Sequence, residues 1–329
     1  MLGSRYSHSM DTLHARLHAI VLEADGIATF EFRRADGGEL PPFTAGAHID
    51  VHIRPGWVRQ YSLCNDPSER HRYVVAVLRE ETGRGGSKAM HDDLRIGHSV
   101  TVSTPRNFFP LAREARRHLL LAGGIGVTPM MAMAAELESQ RGDFFLHYCT
   151  RSPERTAFHE RVEALARAGR AAIHHDGGDP ARGLDLGALL GRHEPGTHLY
   201  YCGPAGFMRA AGNAAAHWPA GNVHAEHFTA PAGDASVAAQ APNTAFRIRL
   251  ARSDLDLEVP ADKSIVDVLR EHDVFIETSC TQGYCGTCLT RYLDGEPEHR
   301  DTVLDDDDRK EFVLVCCARA RTPTLELDL

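Results

Sequence analysis

The chain lacks an uninterrupted apolar span. Its longest apolar stretch, residues 119–135, is broken by Gly123, Gly124, Gly126 and Pro129, and is too short to cross a bilayer. It lacks a charged, then apolar, then small-residue start of the secretory kind; Met1 to Ser9 show no structural pattern, and Met10 is a candidate start. It lacks a basic excess as well: 36 Lys plus Arg stand against 45 Asp plus Glu, with no basic stripe interleaved by aromatics, which argues against nucleic acid as a partner. Eight cysteines in 329 residues fall far short of a disulfide scaffold. No internal repeat is evident. These absences leave a soluble protein with no membrane partner and reduced cysteines, expected in the cytoplasm and long enough for two or three domains.

What is present is a cysteine run, Cys280-Thr281-Gln282-Gly283-Tyr284-Cys285-Gly286-Thr287-Cys288, followed later by Cys316 and Cys317. The C-x4-C-x2-C pattern with a distant fourth thiolate is the plant-type spacing for a 2Fe-2S cluster. Each of two sulfide-bridged irons completes its tetrahedron with two protein sulfurs, so four thiolates are required. Gly283 and Gly286 suit a loop that turns through positive φ and brings N–H groups to the sulfurs. A structural zinc site fits less well, because it prefers two separated knuckles and Cys316 and Cys317 are adjacent.

Acidity is concentrated at the same end. Residues 244–329 hold 11 Lys plus Arg against 19 Asp plus Glu, a net of −8 out of the chain's −9. The densest run, Asp305 to Asp308, reads either as a solvated loop or as a docking face for a basic redox partner.

Three organised segments and one linker are expected. Residues 11–112 show short alternating runs such as His48-Ile49-Asp50-Val51-His52-Ile53 and Tyr73-Val74-Val75-Ala76-Val77-Leu78, the signature of an antiparallel β-barrel. In residues 113–229, apolar strands at Leu119-Leu120-Leu121, Phe144-Phe145-Leu146 and Leu199-Tyr200-Tyr201 alternate with helical stretches such as residues 158–168, which predicts a parallel α/β sheet. Residues 230–243 are rich in small residues and proline without apolar period, and read as a flexible linker. Residues 244–329 restart with two strands, then Ser264 as N-cap of a helix with Ile265, Val268 and Leu269 on one face, then the cysteine loop. That order predicts a compact β-grasp-like module.

In the middle segment, Gly123-Gly124-Ile125-Gly126-Val127-Thr128-Pro129 follows a predicted strand and opens a helix over residues 130–138, with Pro129 acceptable in its first turn. Such a turn lets backbone approach a pyrophosphate at a helix N-terminus, although alone it does not differ from an ordinary glycine-rich turn. Tyr201-Cys202-Gly203-Pro204 follows a later strand of the same sheet, so both turns should emerge at one carboxyl rim, where ligands bind. No acidic residue closes the strand at Thr150; Arg151 stands there, which leaves NADH against NADPH open. In the barrel, Arg59, Tyr61 and Leu63 share one face of a strand, with Ser62 on the other. A guanidinium suits a phosphate and a phenol ring stacks on a flat heterocycle. Gly83-Arg84-Gly85-Gly86-Ser87 offers successive N–H groups and a hydroxyl to an anion.

The order R-x-Y-S-L, G-R-G-G-S, P-R-N-F-F-P (residues 105–110), G-G-I-G-V-T-P, Y-C-G-P and C-x4-C-x2-C, ending in Val315-Cys316-Cys317-Ala318-Arg319-Ala320, resembles the phthalate dioxygenase reductase and vanillate demethylase reductase family over about residues 13–329. The resemblance implies a flavin barrel of the ferredoxin reductase type, a nicotinamide domain and a plant-type ferredoxin domain, with FMN, NADH and a 2Fe-2S cluster as cofactors. It implies Arg59 and Ser87 at the flavin phosphate, Tyr61 against the ring, Ser62 near N5, Thr128 and Cys202 beside the nicotinamide, and Phe228 near the flavin, with Leu63, Gly85 and Gly86 also among the cofactor-binding residues. Gly203, Pro204 and Arg151 would complete the nucleotide site. Ser62 and Cys202 are the expected catalytic residues. The family's V-C-V-S-R ending makes Cys316 the fourth iron ligand beside Cys280, Cys285 and Cys288, and Cys317 departs from that pattern. The implied partner is a Rieske-type terminal oxygenase; a haem or non-aromatic acceptor is the alternative within enzymes, and a nonenzymatic iron–sulfur carrier or sensor the alternative outside them.

Overall fold

The computed structural model describes residues 12–54, 57–81, 85–228, 243–276, 278, 281–283, 286–301, 303–304 and 306–329. The chain divides into two compact units, with the division between Phe228 and Thr229. The residues expected as a linker lie almost wholly outside the described residues; Asn243, its last member, is tied to the second unit by its amide, which donates to the Ala261 carbonyl at 2.9 Å.

The first unit opens with six strands, β1 (Thr12–Ala24), β2 (Ile27–Arg34), β3 (His48–Arg54), β4 (Trp57–Ser62), β5 (Tyr73–Leu78) and β6 (Ser99–Ser103), with the helix α1 (Gly86–Asp93) between β5 and β6. They pair in the order β4-β3-β6-β1-β2-β5. A bridge between Leu63 and Val75 closes the sheet on itself. Its interior is Leu17, Phe30, Phe32, Ile49, Val51, Leu63, Tyr73 and their neighbours. The expected antiparallel barrel is therefore observed. The stretch read as an anion turn is the start of α1: Gly85 is left-handed at φ 78° and caps it. Its Gly-Gly-Ser-Lys beginning has poor helix propensity, and burial of Ala89 and Met90 holds the helix in place.

The same unit continues with β7 (Arg117–Gly123), α2 (Val127–Ser139), β8 (Phe144–Thr150), α3 (His159–Arg167), β9 (Ala171–His175), α4 (Leu186–Leu190), β10 (Thr197–Cys202), α5 (Ala205–Ala214) and β11 (Val223–Glu226). The strands form one parallel sheet in the order β11-β10-β7-β8-β9. α2 starts at Val127, three residues before the expected Met130, because the 3-10 turn Gly124–Gly126 feeds directly into it and Pro129 needs no N–H partner in the first turn. Barrel and sheet share a core. Ala24, Ile27, Ala45, Cys64, Ala76 and Phe109 of the barrel side pack with Met130, Met131, Ala134 and Tyr200. The Ala45 N–H donates to Glu136 Oε2 at 2.9 Å and the Asp25 N–H to the Glu154 carbonyl at 2.8 Å.

The second unit holds β12 (Phe246–Leu250), β13 (Leu255–Val259), α6 (Ile265–Glu271), β14 (Leu289–Asp294), β15 (Pro297–Glu298), β16 (Phe312–Leu314), β17 (Arg319–Ala320) and β18 (Thr324–Leu327). Its main sheet runs β13-β12-β18-β14-β16, with the C-terminal β18 parallel to β12 at the centre. Ser264 caps α6 as its sequence predicts: its hydroxyl accepts from the Asp267 N–H at 3.1 Å while Asp267 accepts from the Ser264 N–H, a reciprocal cap contributing ~1 kcal/mol. Among the described residues no helix is long and apolar enough to cross a membrane.

Candidate active site and cluster loop

Parallel pairing brings three strand ends to one rim. β10 lies in register with β7 and β11, so Ala122, Cys202 and Glu226 form one row across the sheet. The turns after β7 and β10 touch. A β-carbon on Gly126 would sit 2.2 Å from the Cys202 carbonyl oxygen, and one on Gly203 would sit 3.0 Å from the Gly123 Cα. No side chain fits between these backbones. Their convergence at the N-terminus of α2 supplies closely spaced N–H groups of the kind that take a pyrophosphate. Gly124 contributes positive φ (52°). Thr128, buried in the first turn of α2, donates its hydroxyl to the Ile125 carbonyl at 3.2 Å, and Pro129 follows it. Pro204 caps α5 directly after the second turn.

The barrel meets this rim through Ser62. Opposite His48 in the ladder, Ser62 closes β4, and its hydroxyl donates to Glu226 Oε2 at 3.2 Å. Cys202 beside them is fully buried, and burial first, then the nearby Glu226 carboxylate, pushes its thiol well above the ordinary range. It is a neutral thiol at the end of β10. Glu226 keeps part of its surface open to the rim, yet the dense protein around its carboxyl raises it to about 8, with the Ser62 hydrogen bond opposing the shift. A carboxyl that gains and loses a proton near neutral pH thus stands one hydroxyl away from the expected flavin-facing serine. Sequence reasoning passed over Glu226. Its one signal is an acidic residue closing a short strand of a parallel sheet, just before Phe228, which packs against the same core as Cys202.

On the other face of β4, Tyr61 lies opposite Ile49 and Arg59 opposite Val51, as strand alternation requires. The Arg59 side chain crosses Gly86 so closely that a β-carbon there would lie 2.1 Å from its Nε. A guanidinium across a helix N-terminus with no side-chain cap is an arrangement of the kind that takes an anion. Ser87 accepts the Glu80 N–H at 3.1 Å. Tyr61 is half-buried against the barrel core, and burial raises its phenol. Leu63 is wholly inside that core and its N–H donates to the Ala47 carbonyl at 2.8 Å. Arg151 is exposed at the end of β8, where its carbonyl accepts the Gly177 N–H at 2.9 Å.

In the second unit, Cys280 and Cys285 lie outside the described residues. Cys288 and Cys316 are both buried in the unit's core, 2% and 8% exposed. Gly283 and Gly286 have the positive φ expected of the loop, 79° and 71°. Cys317 packs against the same core, a side-chain hydrogen bond with Cys316 and then burial push its thiol upward, and its sulfur would lie 2.6 Å from a β-carbon on Gly283 of the cysteine loop. The soft sulfurs of Cys288 and Cys316, buried in one core, suit iron–sulfur chemistry.

A nucleotide rim facing a barrel serine, joined in one chain to a cysteine loop on a β-grasp unit, defines a pyridine-nucleotide-dependent flavin iron–sulfur oxidoreductase. Residues 120–213 match the oxidoreductase NAD-binding domain family and residues 248–321 the 2Fe-2S iron-sulfur cluster binding domain family. The chain is 49% identical over 323 residues to the reductase subunit of the tert-butanol monooxygenase / tert-amyl alcohol desaturase of Aquincola tertiaricarbonis, covering 96% of each. It is 44% identical to a vanillate O-demethylase oxidoreductase of a Pseudomonas strain, over 95% of this chain and 98% of that one. A solved phthalate dioxygenase reductase, described as a modular structure for electron transfer from pyridine nucleotides to a 2Fe-2S centre, superposes with a TM-score of 0.73 at 42% identity, covering 97% of this chain and 98% of that one. The chain belongs to the phthalate dioxygenase reductase and vanillate demethylase reductase family: it is a reductase of oxygenase systems that passes electrons from NAD(P)H through a flavin to a 2Fe-2S cluster.

Proposed function

We propose that the chain is the NADH-dependent, FMN-containing reductase component of a cytoplasmic two-component system whose acceptor is a Rieske-type terminal oxygenase. Residues 11–112 would hold the flavin, 113–229 the nucleotide and 244–329 the cluster, with 230–243 as the linker. The observation that carries the reading is the meeting of Ser62, Cys202, Glu226 and the paired glycine turns at one rim.

NADH releases two electrons together as a hydride whereas the cluster takes one at a time, and a bound flavin supplies the chemistry that divides the pair. The chain's own residues position and tune. Arg59 and the amides of Gly85, Gly86 and Ser87 would anchor the FMN phosphate, Tyr61 would lie along the ring, Leu63 would contribute only backbone, and Phe228 would flank the ring. Gly123, Gly124, Gly126, Thr128, Pro129, Gly203 and Pro204 would seat the dinucleotide, with Arg151 at its adenosine end. Cys202 would bound the nicotinamide pocket as a neutral thiol. Ser62 holds a hydrogen-bonding proton at Oγ, and Glu226 can accept one from it. Cys280, Cys285, Cys288 and Cys316 would ligate the irons.

The oxygenase substrate does not touch this chain. Resemblance to the phthalate and vanillate reductases favours an aromatic carboxylate or methoxylated aromatic. The 49% identity to a reductase of a tert-butanol monooxygenase favours a second reading, an oxygenase of a non-aromatic substrate. Anaerobic titration of the purified holoenzyme with NADH, followed by visible absorbance and low-temperature electron paramagnetic resonance, tests the electron path. Flavin bleaching followed by a reduced 2Fe-2S signal is expected; a cluster that stays oxidised would overturn it.

A further inference from the structure

We propose that Phe275 is the hydrophobic anchor through which the second unit docks on its acceptor protein, and that the acceptor presents an apolar hollow framed by basic groups. The proposal rests on the reductase reading above. After α6, Asp273 turns left-handed at φ 57° and the Val274 N–H returns to the Leu269 carbonyl at 2.9 Å. Val274 and Ile276 pack against the core of the unit. Alternation then drives Phe275 outward, at 85% exposure the most exposed large apolar side chain among the described residues. The segment is braced beyond it as well, because the Arg270 guanidinium donates to the Thr278 hydroxyl.

A single exposed apolar residue is ordinary on a protein surface. A phenyl ring held outward on a backbone pinned at both sides is less so, because it cannot fold back onto its own core and gains burial only when another surface covers it. Its place decides which surface. Phe275 stands five positions before Cys280 in the sequence, so a protein seated on it engages the stretch of chain that leads into the cysteine run. Glu271, His272 and Asp273 at its foot are exposed, and residues 244–329 carry −8 of the chain's −9. That charge steers a basic partner toward the ring.

The first unit of the same chain is the competing occupant. It needs such an anchor least, because a tether of some fourteen residues, 229–242, keeps it at high effective concentration. A separate acceptor has no such help, and its affinity rests on a few buried aromatic contacts.

The test compares the wild-type holoenzyme with Phe275→Ser and Phe275→Leu in three assays: cytochrome c as a basic protein acceptor, ferricyanide as a small acceptor, and bleaching of the cluster by NADH without acceptor. Phe275→Ser is expected to raise KM for cytochrome c by about tenfold, the size of a modest interface anchor, and Phe275→Leu by less. Ferricyanide reduction and cluster bleaching should not change. An unaltered KM for cytochrome c would overturn the proposal. So would slowed cluster bleaching in Phe275→Ser, which would seat the ring on the flavin-bearing unit instead. A wild-type cluster that NADH fails to bleach is a different result and sinks the reductase reading itself.

Discussion

Gly126 and Gly283 are both glycines at a cofactor turn, and they are glycines for different reasons. Gly126 has an ordinary helical φ of −62°, which any residue adopts, but the backbone oxygen of Cys202 stands 2.2 Å from where its β-carbon would be. Gly283 has φ 79°, strained for any other residue, and its nearest obstacle is a side-chain sulfur, that of Cys317. The nucleotide rim is thus organised by rigid backbone elements pressed together, before any ligand arrives. The cysteine loop turns by local conformation at Gly283 and Gly286, and a 2Fe-2S cluster would complete it. One site is part of a core and the other is closed by its ligand.

The largest expected effect breaks the second site alone. Cys316→Ser should abolish the visible absorbance and paramagnetic signal of the cluster and lower reduction of a protein acceptor by at least about 100-fold, while NADH-to-ferricyanide turnover stays close to wild type. Cys317→Ser should leave the cluster in place, because Cys316, the more deeply buried of the two beside Cys288, is the expected fourth ligand. The reverse pattern would transfer the fourth ligand to Cys317.

Gly126→Ala breaks the first site alone. The added methyl meets carbonyl backbone, which has no rotamer by which to yield, so the two turns must separate. A displacement of the order of an ångström at a hydride-transfer site costs roughly 100-fold in rate. Stopped-flow bleaching of the flavin by NADH should slow by about that factor with the cluster spectrum unaltered. Gly283→Ala is the matching control: it should disturb the cluster spectrum and leave flavin reduction intact. If both variants damage both cofactors, the contrast between the two regions fails.

The same contrast explains what the sequence disclosed. Ligands of a cluster follow one another within a short loop, so Cys280, Cys285 and Cys288 are legible as spacing. The glycine turns are legible as strand-turn-helix punctuation, and the capping of α6 by Ser264 as a local pattern. Ser62 and Glu226 lie 164 positions apart, and only the packing of barrel on sheet makes them partners. α1 was hidden because its Gly-Gly start imitates a loop, and its helical state is decided by the burial of Ala89 and Met90. The central place of β18 was equally hidden, since pairing with β12 joins the two ends of the second unit.

The smallest expected effect, and the one that sharpens the rim most, is the titration of Glu226. Its carboxyl is raised by burial to about 8 from an ordinary 4.5, so the folded protein holds a proton there that the unfolded chain has released. Stability from this group is fully present below 4.5 and is lost as pH rises toward and through 8. The imidazoles near it act with the opposite sign: burial lowers His48 opposite Ser62, His224 two residues earlier on β11, and His227 beside it, while the Cys202 thiol is pushed upward. The imidazole contribution grows as pH rises to 6.5, is common to wild type and variant, and cancels in the comparison. Glu226→Gln keeps the shape and removes the proton. Between pH 5 and 8 the wild-type melting temperature should therefore fall relative to that of the variant by about 2–4 °C for each kcal/mol lost. The pH profile of flavin reduction should lose its limb near 8 in the variant. Parallel melting curves for the two proteins across that range would place the carboxyl outside the buried rim and return Ser62 to acting alone.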